Sequence, residues 1–113
     1  MVAQEQFTVE TGGHRDMHDI TEQVASIVRE SGVTTGTATI FVTGSTAAVG
    51  IIEFEPGLES DLPTMLDRLI PPSREYGHEQ RWHDGNGHSH LQSTLLGSSL
   101  TVPVSAGRPA LGT

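Results

Sequence analysis

The chain has 113 residues, the size of a single domain, so a cleft between two lobes is not expected. Six basic residues, all arginine, stand against fourteen acidic ones, for a net charge of -8. That balance excludes a cationic groove for nucleic acid, and the absence of cysteine excludes disulfides, thiolate metal sites and a cysteine nucleophile.

Hydrophobic residues make up 35% of the chain, which with glycine reaches about 47%, an ordinary globular content. Only five aromatic residues are present, so the core is built from Val, Ile, Leu and Ala. No apolar run approaches the roughly 20 residues of a bilayer crossing. The start, Met1-Val2-Ala3-Gln4-Glu5, has neither a basic region nor an apolar signal core. A cytoplasmic protein without membrane or nucleic-acid partners is expected.

In chain order, 6–10 reads as a first short strand, followed by Thr11-Gly12-Gly13. Asp19-Ile20-Thr21-Glu22 carries helix-start signals, with Asp19 or Thr21 as cap and Glu22 suited to a capping box. Val24, Ile27 and Val28 follow at helical spacing and Gly32 offers a left-handed stop, which predicts a helix over 22–31. Asp16 and Asp61 read as turn or cap residues.

Two β-branched runs, 37–43 and 48–55, are expected to pair as strands on either side of Gly44-Ser45-Thr46-Ala47. Ser60 is the expected cap of a second helix in which Leu62, Met65, Leu66 and Leu69 share one face, until Pro71-Pro72 ends it. The polar segment 73–87 reads as a long loop. Leu91, Leu95 and Leu96 predict a short helix ending near Gly97, and 99–104 a strand that turns at Ser105-Ala106-Gly107. A last strand from Arg108 stops at Thr113 almost as soon as it begins, leaving its neighbour partly unpaired. The mixture predicts an α+β domain spanning 1–113, with a mainly antiparallel sheet and two or three short helices packed on it.

Four of the six histidines, His78, His83, His88 and His90, fall within one 13-residue window. Neutral imidazole is the commonest metal ligand, and two or three His with a carboxylate suit zinc, manganese or iron better than magnesium or calcium. The alternative is a polar loop whose histidines meet only water. For His88 and His90 to bind one ion, the segment carrying them must be extended or lie at a helix start. Asn86 and His90 share a helical face, and Gly85 and Gly87 suit an irregular backbone before the helix.

Ser45 and Thr46, beside Gly44, offer hydroxyl and backbone donors for a phosphate, or form a plain tight turn. Glu53 and Glu55 would lie on one face of a strand, as base and ligand or simply facing solvent. Arg74, Arg81 and Arg108 are the cationic candidates for a phosphate, the first two flanking His78, the alternative being ordinary surface arginines. Trp82 is a candidate pocket or interface wall.

The ordered set Asp19-Ile20-Thr21, Gly44-Ser45-Thr46-Ala47-Ala48, Glu53-Phe54-Glu55-Pro56-Gly57, Tyr76-Gly77-His78, Asp84-Gly85-Asn86-Gly87-His88-Ser89-His90-Leu91, Leu96-Gly97-Ser98-Ser99 and 107–113 resembles the YjbQ-like family. Its members are uncharacterised or described as secondary thiamine-phosphate synthases. The resemblance implies a compact α+β sandwich assembled as a homotrimer, with a metal site near a subunit boundary. It points to His78, His88 and His90 as ligands of a divalent metal, zinc first and manganese or iron as alternatives, with Glu53 and Asn86 as neighbouring catalytic residues.

Many relatives carry His where this chain has Gly44, so no role of that imidazole transfers. In relatives a closing strand of roughly 20 residues follows Leu-Gly-Thr, a length estimated from typical domain size, whereas here the sequence stops at Thr113. The activity implied is the joining of a pyrimidine diphosphate to a thiazole phosphate. In that reading Ser45, Thr46, Arg74 and Arg81 meet a phosphorylated substrate, and the acidic charge and lack of lysine favour a weak side activity. A metal- or ligand-binding trimer without turnover and a metal-dependent hydrolase of a small phosphorylated or acyl compound are the rival readings.

Overall fold

The computed structural model describes residues 1–112. Four helices and three strands make an α+β fold: α1 (Thr21–Ser31), β1 (Thr35–Phe41), α2 (Pro56–Leu69), α3 (Gly77–Trp82), α4 (Gly87–Leu96), β2 (Ser99–Ser105) and β3 (Arg108–Pro109). The chain divides into two compact units, one of residues 1–39 and 101–113, the other of residues 40–100.

In the first unit α1 begins within one residue of the expected span, but its N-cap is Ile20, with no side-chain cap bond, in place of the expected Asp19 or Thr21. Thr21 donates from Oγ1 and from its backbone N–H to Asp19 Oδ1, at 2.6 and 3.0 Å. The Thr21 hydroxyl and then its amide hold the Asp19 carboxyl below its ordinary value of 3.8. This contact therefore supports the helix start above that pH and is lost as pH falls through the lowered value. Gly32 closes α1 with φ 77°, as the left-handed stop requires. Val28 is buried on α1, and Val102 and Val104 are buried on β2, where they alternate with exposed Thr101, Pro103 and Ser105.

β2 is the central strand of the order β1-β2-β3. Thr39 and Thr101 face each other through their hydroxyls at 2.9 Å, and in the second unit Val42 N donates to Ser98 O, so partner numbers fall as strand numbers rise and the pairing is antiparallel. β2 also pairs antiparallel with β3, in the register Val104–Pro109 and Ser105–Arg108. The two-residue turn between them puts Ala106 and Gly107 at φ 51° and 75°, both positive as tight hairpins demand. Thr113, where the early stop of this strand was expected, lies outside the described residues.

Two expected strands do not form. Residues 6–10 and 48–55 have no regular strand structure. Of the second run, Val49 N still donates to Gly97 O at 3.1 Å, but no ladder follows. β-branched composition fits a pleated surface and cannot create one without a partner strand. The pairing expected across Gly44-Ser45-Thr46 is therefore replaced by pairing of β1 with β2.

In the second unit α2 starts four residues before the expected Ser60 cap. Glu55 is the N-cap, its carboxylate accepting Gly57 N at 2.8 Å and Leu58 N at 2.6 Å, with Pro56 in the first turn. Glu55 is therefore a capping residue, and its expected partnership with Glu53 on one strand face does not arise. Leu66 is buried, but Met65 and Leu69 on the same expected apolar face remain exposed.

The predicted loop 73–87 contains α3, a fourth helix where two or three were expected. α4 packs on the end of α2 through buried Gln92, whose Nε2 donates to Asp67 Oδ1 at 2.9 Å and to Ile70 O at 3.0 Å. Replacing Gln92 by alanine removes a donor from both acceptors and is expected to cost about 1–3 kcal/mol, measured as a lower denaturant midpoint. An unchanged midpoint would show that water replaces the amide without loss.

Candidate functional site

The histidine-rich segment folds into α3, a short turn and the start of α4. α3 ends at His83 in the left-handed conformation, φ 58°, and Gly85 repeats it at φ 74°. Two such reversals within three residues fold the chain back on itself, so Asp84 and Asn86 return to His78 on α3. Asn86 is the N-cap of α4, and Ser89 N and His90 N donate to its backbone carbonyl. His88 and His90 therefore lie at a helix start, one of the two backbone settings the sequence allows for a shared ion.

His78 Nε2 is the focus. It lies 2.9 Å from Asp84 Oδ1 and 2.7 Å from Asn86 Oδ1. With the Asn86 amide turned end for end, its nitrogen donates to His78 Nε2 and to Asp84 Oδ1, each at 2.7 Å. Three polar atoms on three residues thus form a triangle with edges of 2.7–2.9 Å. The His90 ring packs on His78, with centroids 4.6 Å apart and planes tilted by 53°.

Beneath the triangle lies Glu79, buried at 4% exposure. Its Oε2 accepts Gly85 N at 2.7 Å and its Oε1 accepts Gly87 N at 2.6 Å. Both are charge-assisted bonds to backbone amides, which is how a buried carboxylate becomes tolerable. Sequence reading passed over Glu79, because the loop expected over 73–87 hides the helix that aims it inward. The glycines six and eight residues after it, at 85 and 87, are the only local signal.

Among the described residues, one group of three ligand-type side chains converges: His78, Glu79 and Asp84, with donor atoms within 4.8 Å of one another. An imidazole with two carboxylates suits zinc, manganese or iron, and neighbouring ligands about a small ion at 2.0–2.1 Å stand about 3 Å apart. His78, Asp84 and Asn86 stand at hydrogen-bond distances of 2.7–2.9 Å from one another, and the group is of the residue types that divalent cations take. His88 and His90 lie outside the group of three. His88 is buried on the first turn of α4 with Nε2 3.3 Å from Ser89 Oγ.

The other expected site residues are placed as follows. Arg74 lies along the same turn, Nη1 donating to His83 O at 3.5 Å and Nη2 within 2.9 Å of where a Gly85 Cβ would sit. Arg81 has its guanidinium 5.3 Å from the exposed Trp82 ring, a cation–π contact. Ser45 and Thr46 are exposed in a turn closed by Ala47 N donating to Gly44 O. Glu53 is exposed, with its backbone carbonyl accepting Glu55 N. The structure thus brings His78, His90 and Asn86 together with Asp84 and Glu79, and places Arg74 on the adjoining turn.

Among the described residues no helix is long and apolar enough to cross a membrane. The family model described as UPF0047 protein YjbQ-like matches residues 5–113. A UPF0047 protein of Methanothermobacter thermautotrophicus is 38% identical over 109 residues, 96% of this chain and 75% of its own length. YugU of Bacillus subtilis, also a UPF0047 protein, is 34% identical over 106 residues, 93% of this chain and 78% of its own length. A crystal structure of a YbjQ-like protein of unknown function from Sulfolobus solfataricus matches with TM-score 0.84 at 38% identity, over 92% of this chain and 75% of that one. An uncharacterised yjbq/upf0047 protein of Clostridium acetobutylicum matches with TM-score 0.81 at 34% identity, over 92% of this chain and 79% of that one. Sequence and fold agree along nearly the whole chain, which therefore belongs to the UPF0047 YjbQ-like family.

Proposed function

We propose that this protein binds a divalent cation, zinc first and manganese or iron as alternatives, and uses it on a small phosphorylated substrate in the manner of a secondary thiamine-phosphate synthase. The observation that carries the reading is the approach of Asp84 and Asn86 to His78 Nε2 at 2.7–2.9 Å. His78 and Asp84 hold the ion, with Asn86 Oδ1 turned toward it. With its nitrogen inward, the Asn86 amide donates to both His78 Nε2 and Asp84 Oδ1. His90, tilted against the His78 ring, and His88, on the first turn of α4, are the next imidazoles in line.

The ion would supply positive charge to the oxygens of a departing diphosphate. Arg74, on the adjoining turn, neutralises substrate phosphate, and Arg81 can join it by leaving the Trp82 face. Ser45 and Thr46 offer hydroxyl donors, and Glu53 is the exposed carboxylate available to take a proton. Self-association as a homotrimer is supported by exposed apolar side chains of the second unit, among them Phe41, Ile51 and Leu95, each at least 60% accessible.

The test is elemental analysis of purified protein, then incubation of the loaded protein with a pyrimidine diphosphate and a thiazole phosphate. About one ion per chain and formation of thiamine phosphate are expected. Metal without product favours the binding-trimer reading, metal with release of inorganic phosphate favours the hydrolase, and no metal overturns the proposal. Sedimentation equilibrium checks the trimer, and a monomer at all concentrations overturns that part.

A further inference from the structure

Glu79 is a buried ionisable group that the proposed chemistry leaves without a task. Its two oxygens are both committed, at 2.6 and 2.7 Å, to the amides of Gly87 and Gly85. Those amides bracket Asn86, and that of Gly85 directly follows Asp84, the other residue that approaches His78. Glu79 itself adjoins His78 on α3. One carboxylate therefore ties the helix that carries the imidazole to the turn that carries its oxygen partners.

The space around the turn confirms how closely it is gripped. A Cβ on Gly87 would stand 2.7 Å from Glu79 Oε1, and a Cβ on Gly85 would stand 2.9 Å from Arg74 Nη2. The carboxylate holds the turn from inside and the guanidinium covers it from outside. Gly87 is also the first residue of the ten-residue α4, so the negative charge sits where the helix amides favour it.

We infer that Glu79 is a positioning residue, whose carboxylate presets Asp84 and Asn86 around His78 Nε2 by binding the amides of Gly85 and Gly87. In this role Glu79 orients the turn through the two glycine amides and is not itself the ligand, although it is one of the three converging groups. This rests on the metal reading for its functional consequence but not for its structural content. Partners that orient a metal's ligands in this way are worth about 10–100-fold in metal affinity.

The experiment is cobalt(II) titration of the full chain and of Glu79→Gln, with amide NMR of both in the metal-free state. In Glu79→Gln one amide now meets an N–H instead of an oxygen. Cobalt affinity is expected to fall about 10–100-fold while the d–d spectrum at saturation stays the same, because the ligating atoms are unchanged. The Gly85 and Gly87 amide resonances are expected to shift and to lose exchange protection. Undiminished affinity in the variant overturns the inference, and so does an altered spectrum at saturation, which would make Glu79 a ligand.

If the unaltered protein binds no cobalt, the metal reading fails, and the NMR arm decides the positioning role. Unmoved Gly85 and Gly87 resonances in the variant then overturn it. Should Glu79→Gln not fold, the unaltered protein suffices: scalar couplings across the hydrogen bonds from both glycine nitrogens to the Glu79 carboxyl carbon are expected, and their absence overturns the inference.

Discussion

His78→Ala is expected to lower divalent-metal affinity by more than about 100-fold, beyond the loss typical of a residue that only orients a ligand. His78 Nε2 is the atom to which both Asp84 and Asn86 turn. Asp84→Asn keeps the shape but removes a charge and should weaken binding in the same direction. His90→Ala should act more mildly, through loss of ring packing on His78. Competition of zinc against a coloured chelator measures all three. Full affinity in His78→Ala would place the ion elsewhere, and a larger loss in His88→Ala than in His78→Ala would restore the three-imidazole arrangement that the family resemblance implies.

The second large effect is expected at Gly87. Alanine there brings a Cβ to 2.7 Å from Glu79 Oε1, 3.1 Å from Tyr76 Cβ and 3.4 Å from His78 Cβ. Glu79 cannot retreat without loosening its bonds to Gly85 N and Gly87 N. Tyr76 is held in turn by its hydroxyl, which donates to Pro71 O at 2.6 Å. Overpacking of this kind costs about 1–3 kcal/mol. In a domain of about 100 residues each kcal/mol lowers Tm by about 4–8 °C, so calorimetry of Gly87→Ala resolves the effect. An unchanged Tm would show that the turn between α3 and α4 yields easily, and the rigid placement of Asp84 and Asn86 would then be lost as an argument.

Several elements were legible because their signals are local. Asp19, the spacing of Val24, Ile27 and Val28, and Gly32 delimit α1 within one residue of its observed span. Pro71-Pro72 stops α2, Gly97 stops α4, and the alternation in 99–104 marks the central strand. By contrast, 6–10 and 48–55 have the composition of strands and no ladder. A strand is completed by its partner, and composition cannot supply one. Ser60 reads as the helix cap, but Glu55, read as a strand residue, takes that place, with Pro56 in the first turn, where its missing N–H costs nothing.

The sequence by itself determined the family, the α+β class and the concentration of imidazoles between 78 and 90. The tertiary structure alone decided which groups meet: Asp84 and Asn86 at His78, His90 across its ring, and Glu79 beneath the turn. The physical reason is the pair of left-handed residues, His83 and Gly85, whose positive φ angles reverse the chain between two short helices. Spacing along a chain can be converted into distance only within a regular helix or strand. Here the ligand-type residues straddle an irregular turn, and the amides bound by one buried carboxylate set its course.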